Sequence, residues 1–230
     1  MSTVLRTVLA LCMVLGTVFG ATRDASAARG KAAKAPPPQL EFSSPEALLH
    51  FIDGYRAKPE PQRLPEMVKA MSRLGTVKEI ENAGVFLGFA GGVLSANPKT
   101  ADKLIGKMFP LPPPDQVIVI KAIAYSGLDD WQNRLRAVTE RMPARRILID
   151  RYLFGKMPPL SGLPMETGPS AVDANWGYYF ATGSRAAVRR IEAALLWTKE
   201  ENSVEKLTVA GMASWTLARN ASRDTDLLRM

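Results

Sequence analysis

The segment of residues 83–96 constrains the fold more than any other part of the chain, because it is apolar on every side. Thr76 and Glu79, just before it, have the spacing of a capping box, which predicts a helix that continues through Ala96. A helix without a polar face is buried, and its glycines let a neighbouring backbone approach closely. The segment is shorter than the roughly 20 residues that cross a bilayer, so we predict a core helix. Its glycines are Gly84, Gly88, Gly91 and Gly92.

Apolar residues at helical spacing, interrupted by proline and glycine, recur along the rest of the folded part. Ser44 before Pro45 and Ser184 before Arg185 have the pattern of helix N-caps. Residues 117–125 are rich in β-branched side chains, which leaves a strand open, but the helices on both sides favour a buried helix. Short turns between helices imply antiparallel hairpins. We therefore predict an all-α fold of helical hairpins stacked in a compact, solenoid-like array, similar to TPR or HEAT arrays but without their consensus.

One pattern occurs twice and bears on this arrangement. Ser126-Gly127 precedes a helix that carries Arg134, and Thr182-Gly183 precedes a helix that carries Arg190 at the same distance. A true internal repeat and convergent helix–turn chemistry both explain such a match, so both stay open.

The last long helix shows a clear apolar stripe. Asn202 and Glu205 have capping-box spacing at its start. The apolar positions that follow recur at helical spacing, and we expect this face to pack on the core. The stripe consists of Val204, Leu207, Gly211, Trp215 and Ala218.

The first residues have the pattern of a secretory signal peptide, residues 1–27. Arg6 is followed by an apolar run and then by the small residues Ala25-Ser26-Ala27. We expect cleavage near Ala27-Ala28 and a periplasmic or secreted protein. The alternative is a membrane anchor made by a retained N-terminal helix.

Three further segments complete the predicted organisation. Residues 28–40 are basic and proline-rich, which is typical of a flexible linker. Residues 41–220 are predicted as a single helical domain, interrupted by a long irregular loop at residues 154–172. Residues 221–230 are polar and are predicted to fray.

Cysteine and histidine occur once each in the chain, which excludes disulfide scaffolds, zinc clusters and most Cys-His chemistry. Cys12 lies in the predicted signal peptide, so the mature chain is expected to be free of cysteine. His50 has Glu46 and Asp53 as neighbours on its helix. These three side chains would suit a surface metal or acid/base site, but we predict a solvated histidine, no metal and no cofactor.

Two carboxylates are the candidates for catalysis. Glu166 and Asp173 flank the predicted loop, and a pair of carboxylates is what glycan cleavage requires. Because no catalytic motif surrounds either residue, we predict a protein that is not an enzyme. A carboxylate-dependent hydrolase or lyase of cell-envelope glycans is the alternative.

Arginines are unevenly distributed and are the main binding candidates. If the two matching hairpins stack, their arginines share a face that can hold an anionic partner. The alternative is that they only solvate the outer faces of their helices. The candidates are Arg134, Arg141, Arg145 and Arg146 in the first group, and Arg185, Arg189 and Arg190 in the second.

Trp176 and Tyr179 lie on one face of a short predicted helix, Asn175–Thr182, for which Asp173 is the expected cap. Core packing explains such an aromatic face. The alternative is a binding groove covered by residues 154–172.

Residues 176–183, which read Trp-Gly-Tyr-Tyr-Phe-Ala-Thr-Gly before an arginine-rich helix, resemble a motif of secreted bacterial helical proteins of uncharacterised function. Residues 89–98 resemble an earlier motif of the same group. The resemblance covers about a third of the chain in short patches. It implies a helical fold and export, and no activity.

These patterns together predict an exported, non-enzymatic helical binding or scaffold protein. The expected partners are an acidic protein surface, an anionic lipid or a cell-wall polymer, because the candidate residues are arginines. Nucleic acid is not expected for an exported chain. We expect a monomer or a weak oligomer.

Overall fold

The computed structural model describes residues 42–229, which form eleven α-helices joined by short 3-10 turns, with no strand among these residues. The predicted signal peptide and linker lie outside the described residues. The helices are α1 (Pro45–Gly54), α2 (Leu64–Leu74), α3 (Gly84–Ala96), α4 (Ala101–Met108), α5 (Val117–Tyr125), α6 (Trp131–Ala137), α7 (Arg146–Leu153), α8 (Pro169–Thr182), α9 (Arg185–Ala193), α10 (Val204–Ala221) and α11 (Thr225–Leu228).

The most extensive contact between helices joins α3 and α8. A Cβ atom at Gly88 would lie 2.8 Å from the Cα atom of Ala174, and one at Gly177 would lie 2.7 Å from the amide nitrogen of Phe89. Both distances are shorter than a van der Waals contact, so the two backbones touch and neither position accepts a side chain. The residue numbers of the contacts increase in the same direction along both helices, from Gly84 near Ser170 to Gly92 near Ala181. Helices α3 and α8 are therefore parallel.

Helix α5 packs on another side of α3. A Cβ atom at Gly91 would lie 2.9 Å from the backbone of Tyr125. Ten of the thirteen residues of α3 are buried. The predicted core helix is therefore confirmed, although it begins at Gly84 instead of directly after the Thr76–Glu79 pattern. The helix predicted for residues 117–125 is also confirmed, and the strand alternative is wrong.

The all-α class is confirmed for the described residues, whereas the stacked, solenoid-like array of hairpins is not confirmed. The central contact joins two parallel helices that are far apart in the sequence. Two groups of buried residues surround it, one around α3 and α5 and one between α8, α9 and α10.

Two of the predicted caps are confirmed and three are wrong. The Oγ atoms of Ser44 and Ser184 accept hydrogen bonds from helix amides three residues on. Thr76 instead donates its hydroxyl to the carbonyl oxygen of Met71, which closes α2. The cap of α10 is Ser203, whose Oγ accepts from the Lys206 amide at 3.2 Å. The hydroxyl of Ser203, one residue further along, thus replaces the predicted Asn202 cap, and it also donates to the Glu205 carboxylate at 3.0 Å.

The predicted loop at residues 154–172 is too long. Helix α8 begins at Pro169, after Gly168 with φ of 126°, and short 3-10 turns occupy part of the remaining segment. Proline suits the first position of a helix because its missing N–H group would have no partner there. Asp173 is consequently inside α8 and does not cap it.

The frayed tail predicted for residues 221–230 is wrong as far as the structure describes it. The Asp224 carboxylate accepts hydrogen bonds from Arg56 at 3.0 Å and from the Tyr179 hydroxyl at 2.7 Å. Helix α11 follows directly. The segment is therefore fastened to α1 and α8, and the folded part extends beyond residue 220.

The apolar stripe predicted to face the core from α10 points into solvent instead. Val204 is 74% exposed and Trp215 is 61% exposed, while Gly211 and Ala218 are also exposed. The buried face of α10 consists of smaller residues, Val209, Ala210, Ala213 and Thr216. Small side chains let α10 lie close to its neighbours, and the larger apolar residues are left outside.

Among residues 42–229, no helix has both the length and the apolar character that membrane crossing requires.

The contact between α3 and α8 predicts that substitution of a glycine in this contact lowers the free energy of unfolding far more than substitution of an uncrowded glycine. We expect Gly88→Ala to lower the free energy of unfolding by about 3 kcal/mol or more, because the new methyl group meets rigid backbone. The measurement is chemical denaturation at equilibrium.

Gly106→Ala in α4 is the matched control, because the nearest atom to its Cβ position is 3.9 Å away. It should raise the free energy of unfolding by about 0.5–1 kcal/mol. Equal effects of the two substitutions would contradict the close backbone contact.

Candidate functional site

The first group of candidate arginines fastens neighbouring segments together. The guanidinium of Arg134 contacts Asp102 at 2.6 Å and Asp130 at 2.8 Å. Arg145 donates to the carbonyl oxygens of Pro113 and Pro114. Because two carboxylates already neutralise the charge of Arg134, the predicted shared face for an anionic partner is not favoured here.

Arg141 and Arg146 have the same kind of local partners. The guanidinium of Arg141 lies 4.0 Å above the ring of Phe109 and donates to the carbonyl oxygen of Gly106. Arg146 forms an exposed ion pair with Asp150 at 3.1 Å. Such contacts at the surface stabilise little individually. The carboxylate of Asp150 nevertheless offsets the charge of Arg146, which weakens its attraction for an anionic partner.

The second group lies on α9 and is different. Arg185 and Arg189 are exposed, whereas Arg190 is half-buried. Arg190 donates hydrogen bonds to the carbonyl oxygens of Leu160 and Leu163. Burial lowers the pKa of the Arg190 guanidinium, and no carboxylate among residues 42–229 offsets that effect. Its positive charge is therefore held by neutral groups alone.

Arg190 lines a pocket of about 280 Å³ between α5, α8 and α9. The turn that contains Ser161 covers one side of it. Hydroxyl and amide groups form much of the remaining polar lining. These groups belong to Tyr125, Ser161, Asn175, Tyr178 and Ser184.

Hydrogen bonds hold the lining of this pocket in place. The Tyr178 hydroxyl is 2.8 Å from the Oγ atom of Ser95, and Asn175 donates to the carbonyl oxygen of Ala171 at 2.8 Å. Ser184 uses its Oγ as an acceptor for the Ala187 amide, which leaves its hydroxyl proton for another acceptor. A fixed guanidinium beside hydroxyl donors suits the oxygens of an anion.

Trp176 and Tyr179 lie in the core, which favours the core-packing interpretation of their aromatic face over a binding groove. They are 2% and 0% exposed. The Trp176 Nε1–H donates to the Thr216 hydroxyl at 2.9 Å, which ties α8 to α10. Burial raises the pKa of Tyr179 to about 12, and the Arg56 guanidinium lies 4.7 Å above its ring. The pocket lies beside Tyr178, on another face of the same helix.

Five residues of the pocket lining were not predicted as site residues, and they are Tyr125, Ser161, Asn175, Tyr178 and Ser184. A signal existed for two of them. Asn175 and Tyr178 are three residues apart on a mostly apolar helix, so their side chains lie on the same face of it. Their polar atoms mark the side of α8 that faces the pocket. Ser161 had no such signal, because it lies in an irregular turn.

The two candidate carboxylates do not meet at this pocket, and neither lines it. Glu166 is exposed, whereas Asp173 is packed against Gly84. Burial raises the pKa of Asp173 from its usual 3.8 to about 6, with no positive charge in the described part of the chain to oppose it. The charged form of Asp173 therefore destabilises the contact between α3 and α8.

His50 is exposed on α1 together with Glu46 and Asp53. Between residues 42 and 229, no group of three or more His, Cys, Asp or Glu side chains is arranged to hold a metal ion.

Comparison of the sequence with protein families and curated proteins, and of the structure with solved structures, finds no match. The resemblance to secreted bacterial helical proteins therefore stays a prediction.

Asp173 predicts a pH dependence of stability. Because its pKa is higher in the folded than in the unfolded chain, the folded state binds the proton more tightly, and the free energy of unfolding falls as pH rises from about 4 to 6. We expect Asp173→Asn to raise the free energy of unfolding by about 1–2 kcal/mol at pH 7.5, allowing for partial solvent screening. The gain should vanish near pH 3.5.

Denaturation at both pH values measures this effect, and Glu166→Gln at an exposed position is the control. A gain from Asp173→Asn that is equal at both pH values would show that burial of the charge is not its cause.

Proposed function

We propose that this chain is an exported, non-enzymatic binding protein that holds an anionic group in the Arg190 pocket. The observation that supports the proposal best is the half-buried guanidinium of Arg190, which lines a pocket and has carbonyl partners but no carboxylate partner among residues 42–229. A charge in that position attracts a counter-ion more strongly than a charge in open water does.

The chemistry of the pocket favours a carboxylate or phosphate group. Arginine presents a planar fork that matches the oxygens of such groups, and hydroxyls such as those of Ser161 and Ser184 donate to the same oxygens. A volume of about 280 Å³ is at the small end for ligand sites. The pocket therefore suits a small anion, or one anionic group of a larger cell-wall or lipid molecule.

Two exposed arginines support this choice. Arg185 and Arg189 are on the same helix as Arg190 and raise the local positive potential. Such a potential increases the rate at which anions arrive and depends on ionic strength. The first group contributes less, because carboxylates offset the charges of Arg134 and Arg146.

The proposal also includes helical hairpins, in which helices that follow each other in the sequence pack side by side. Helices α8 and α9, joined at Gly183, form the hairpin that carries most of the pocket. The alternatives, a carboxylate-dependent glycan enzyme and a retained membrane anchor, stay as competing proposals. Asp173, with its raised pKa, is the residue on which an enzyme would depend.

Filling the pocket tests the proposal. Ala186 lines it from the exposed side of α9, so Ala186→Phe should obstruct it without cutting any hydrogen bond. With inorganic phosphate, glycerol 3-phosphate and succinate as probes, titration calorimetry should give a dissociation constant on the order of 1 mM or tighter for at least one. The variant should lose at least tenfold in affinity.

Ala193→Phe is the matched control, because Ala193 is exposed on the same helix and does not line the pocket. It should bind as the unchanged protein does. The proposal fails if no probe binds the unchanged protein. It also fails if the two phenylalanine variants bind the probe with equal affinity.

The export part of the proposal has its own test. The signal-peptide pattern of residues 1–27 predicts that the protein recovered from cells begins at Ala28. Sequencing of the mature N-terminus measures this directly. A chain that still begins at Met1 and sediments with membranes would favour the retained anchor.

A further inference from the structure

We propose that the exposed face of α10 is a self-association surface, on which a second copy of this chain packs antiparallel across a two-fold axis. The inference is independent of the Arg190 pocket. It rests on three features of α10, which are its exposed apolar face, the unexplained Gly211 and the opposite charges at its two ends.

The midline of the exposed face of α10 carries no charged residue between Val204 and Ala218, and at its C-terminal end the guanidinium of Arg219 lies 5.1 Å above the ring of Trp215. Val204, Leu207 and Trp215 supply its large apolar groups, and their exposed fractions are 74%, 40% and 61%. The positions between them are small or uncharged, and the face extends for about 20 Å along the helix. An apolar strip of this length on one helix is typical of a surface that packs on another helix.

Gly211 lies at the middle of this face, and contacts among residues 42–229 do not explain it. No atom comes within 4 Å of the position that its Cβ would occupy. The glycines of α3 are different, because α8 or α5 backbone fills the corresponding space. A glycine inside a helix lowers its stability, so its presence here needs a reason. Close approach of a second backbone from outside supplies one.

The charges at the ends of α10 select a second copy in the antiparallel direction. The exposed carboxylates of Glu201 and Glu205 are at its N-terminal end, and the exposed guanidinium groups of Arg219 and Arg223 are at its C-terminal end. A two-fold axis through Gly211 places the acidic end of each copy beside the basic end of the other. A parallel arrangement would place like charges together.

The same axis also pairs side chains of suitable size. Gly211 meets Gly211 of the second copy at the crossing point. Leu207 then lies opposite Trp215 of the second copy, and Val204 lies opposite Ala218. Because the contact is symmetric, each of these pairs occurs twice, once on either side of the axis, as in any isologous interface.

One helix face is smaller than the roughly 800 Å² per partner that stable interfaces bury, so the dimer should be weak. We expect a dissociation constant on the order of 10–100 μM. Sedimentation equilibrium of the purified protein over a range that brackets these concentrations should show a mass rising toward that of a dimer. A protein that stays monomeric throughout overturns the proposal.

Trp215→Ser should weaken the dimer at least tenfold. Phe154→Ser is the matched control, because Phe154 is 75% exposed and lies outside α10. It should leave the dimer unchanged. Thermal melting shows that both variants are folded, and equal dissociation constants for the two would overturn the assignment to α10.

A charge exchange tests the antiparallel direction. Glu205→Arg places arginine beside arginine at both ends of the contact, and Arg219→Glu places carboxylates together, so each variant alone should weaken the dimer severalfold. An equal mixture of the two variants restores opposite charges at both ends and should associate at least as strongly as the unchanged protein. A mixture no stronger than either variant alone overturns the antiparallel pairing.

Discussion

The backbone contact between α3 and α8 is the constraint on which the rest of the structure depends. Gly88 and Gly177 face the backbone of the opposite helix at distances that leave no room for a Cβ atom. Once α8 is fixed on α3, its other faces are fixed too. One presents Trp176 and Tyr179 to α10 and α11, and another presents Tyr178 to the pocket. The position of α8 therefore determines both the candidate site and the attachment of the C-terminal helices.

The sequence allowed the helical class and the buried α3 to be predicted, because both follow from local patterns. A helix that is apolar on every side and contains several glycines is expected to be buried in the core. Caps such as Ser44 depend only on the next few residues and were equally accessible. The parallel partner of α3 was not accessible, because a glycine shows that a backbone approaches without showing which one.

The departures from prediction on α10 and at the arginines share one physical cause, because long-range packing decides which of two suitable environments such residues occupy. The stripe of α10 looked like a core face, but the small residues on the opposite side, such as Ala210 and Ala213, pack more closely. The arginines looked alike in sequence, yet Arg134 meets two carboxylates and Arg190 meets only carbonyls. The pocket residues come from helices and a turn that only the fold brings together.

Hydrogen exchange tests the central role of the contact between α3 and α8 most directly. Amides that are protected by the innermost packing exchange only through global unfolding. We predict that the amides around Gly88 and Gly177 show the highest free energy of opening, with one common value equal to that of global unfolding, while those on the exposed side of α10 show lower values. If the amides of α3 or α8 show a free energy of opening as low as those of α10, this contact is not the foundation of the fold.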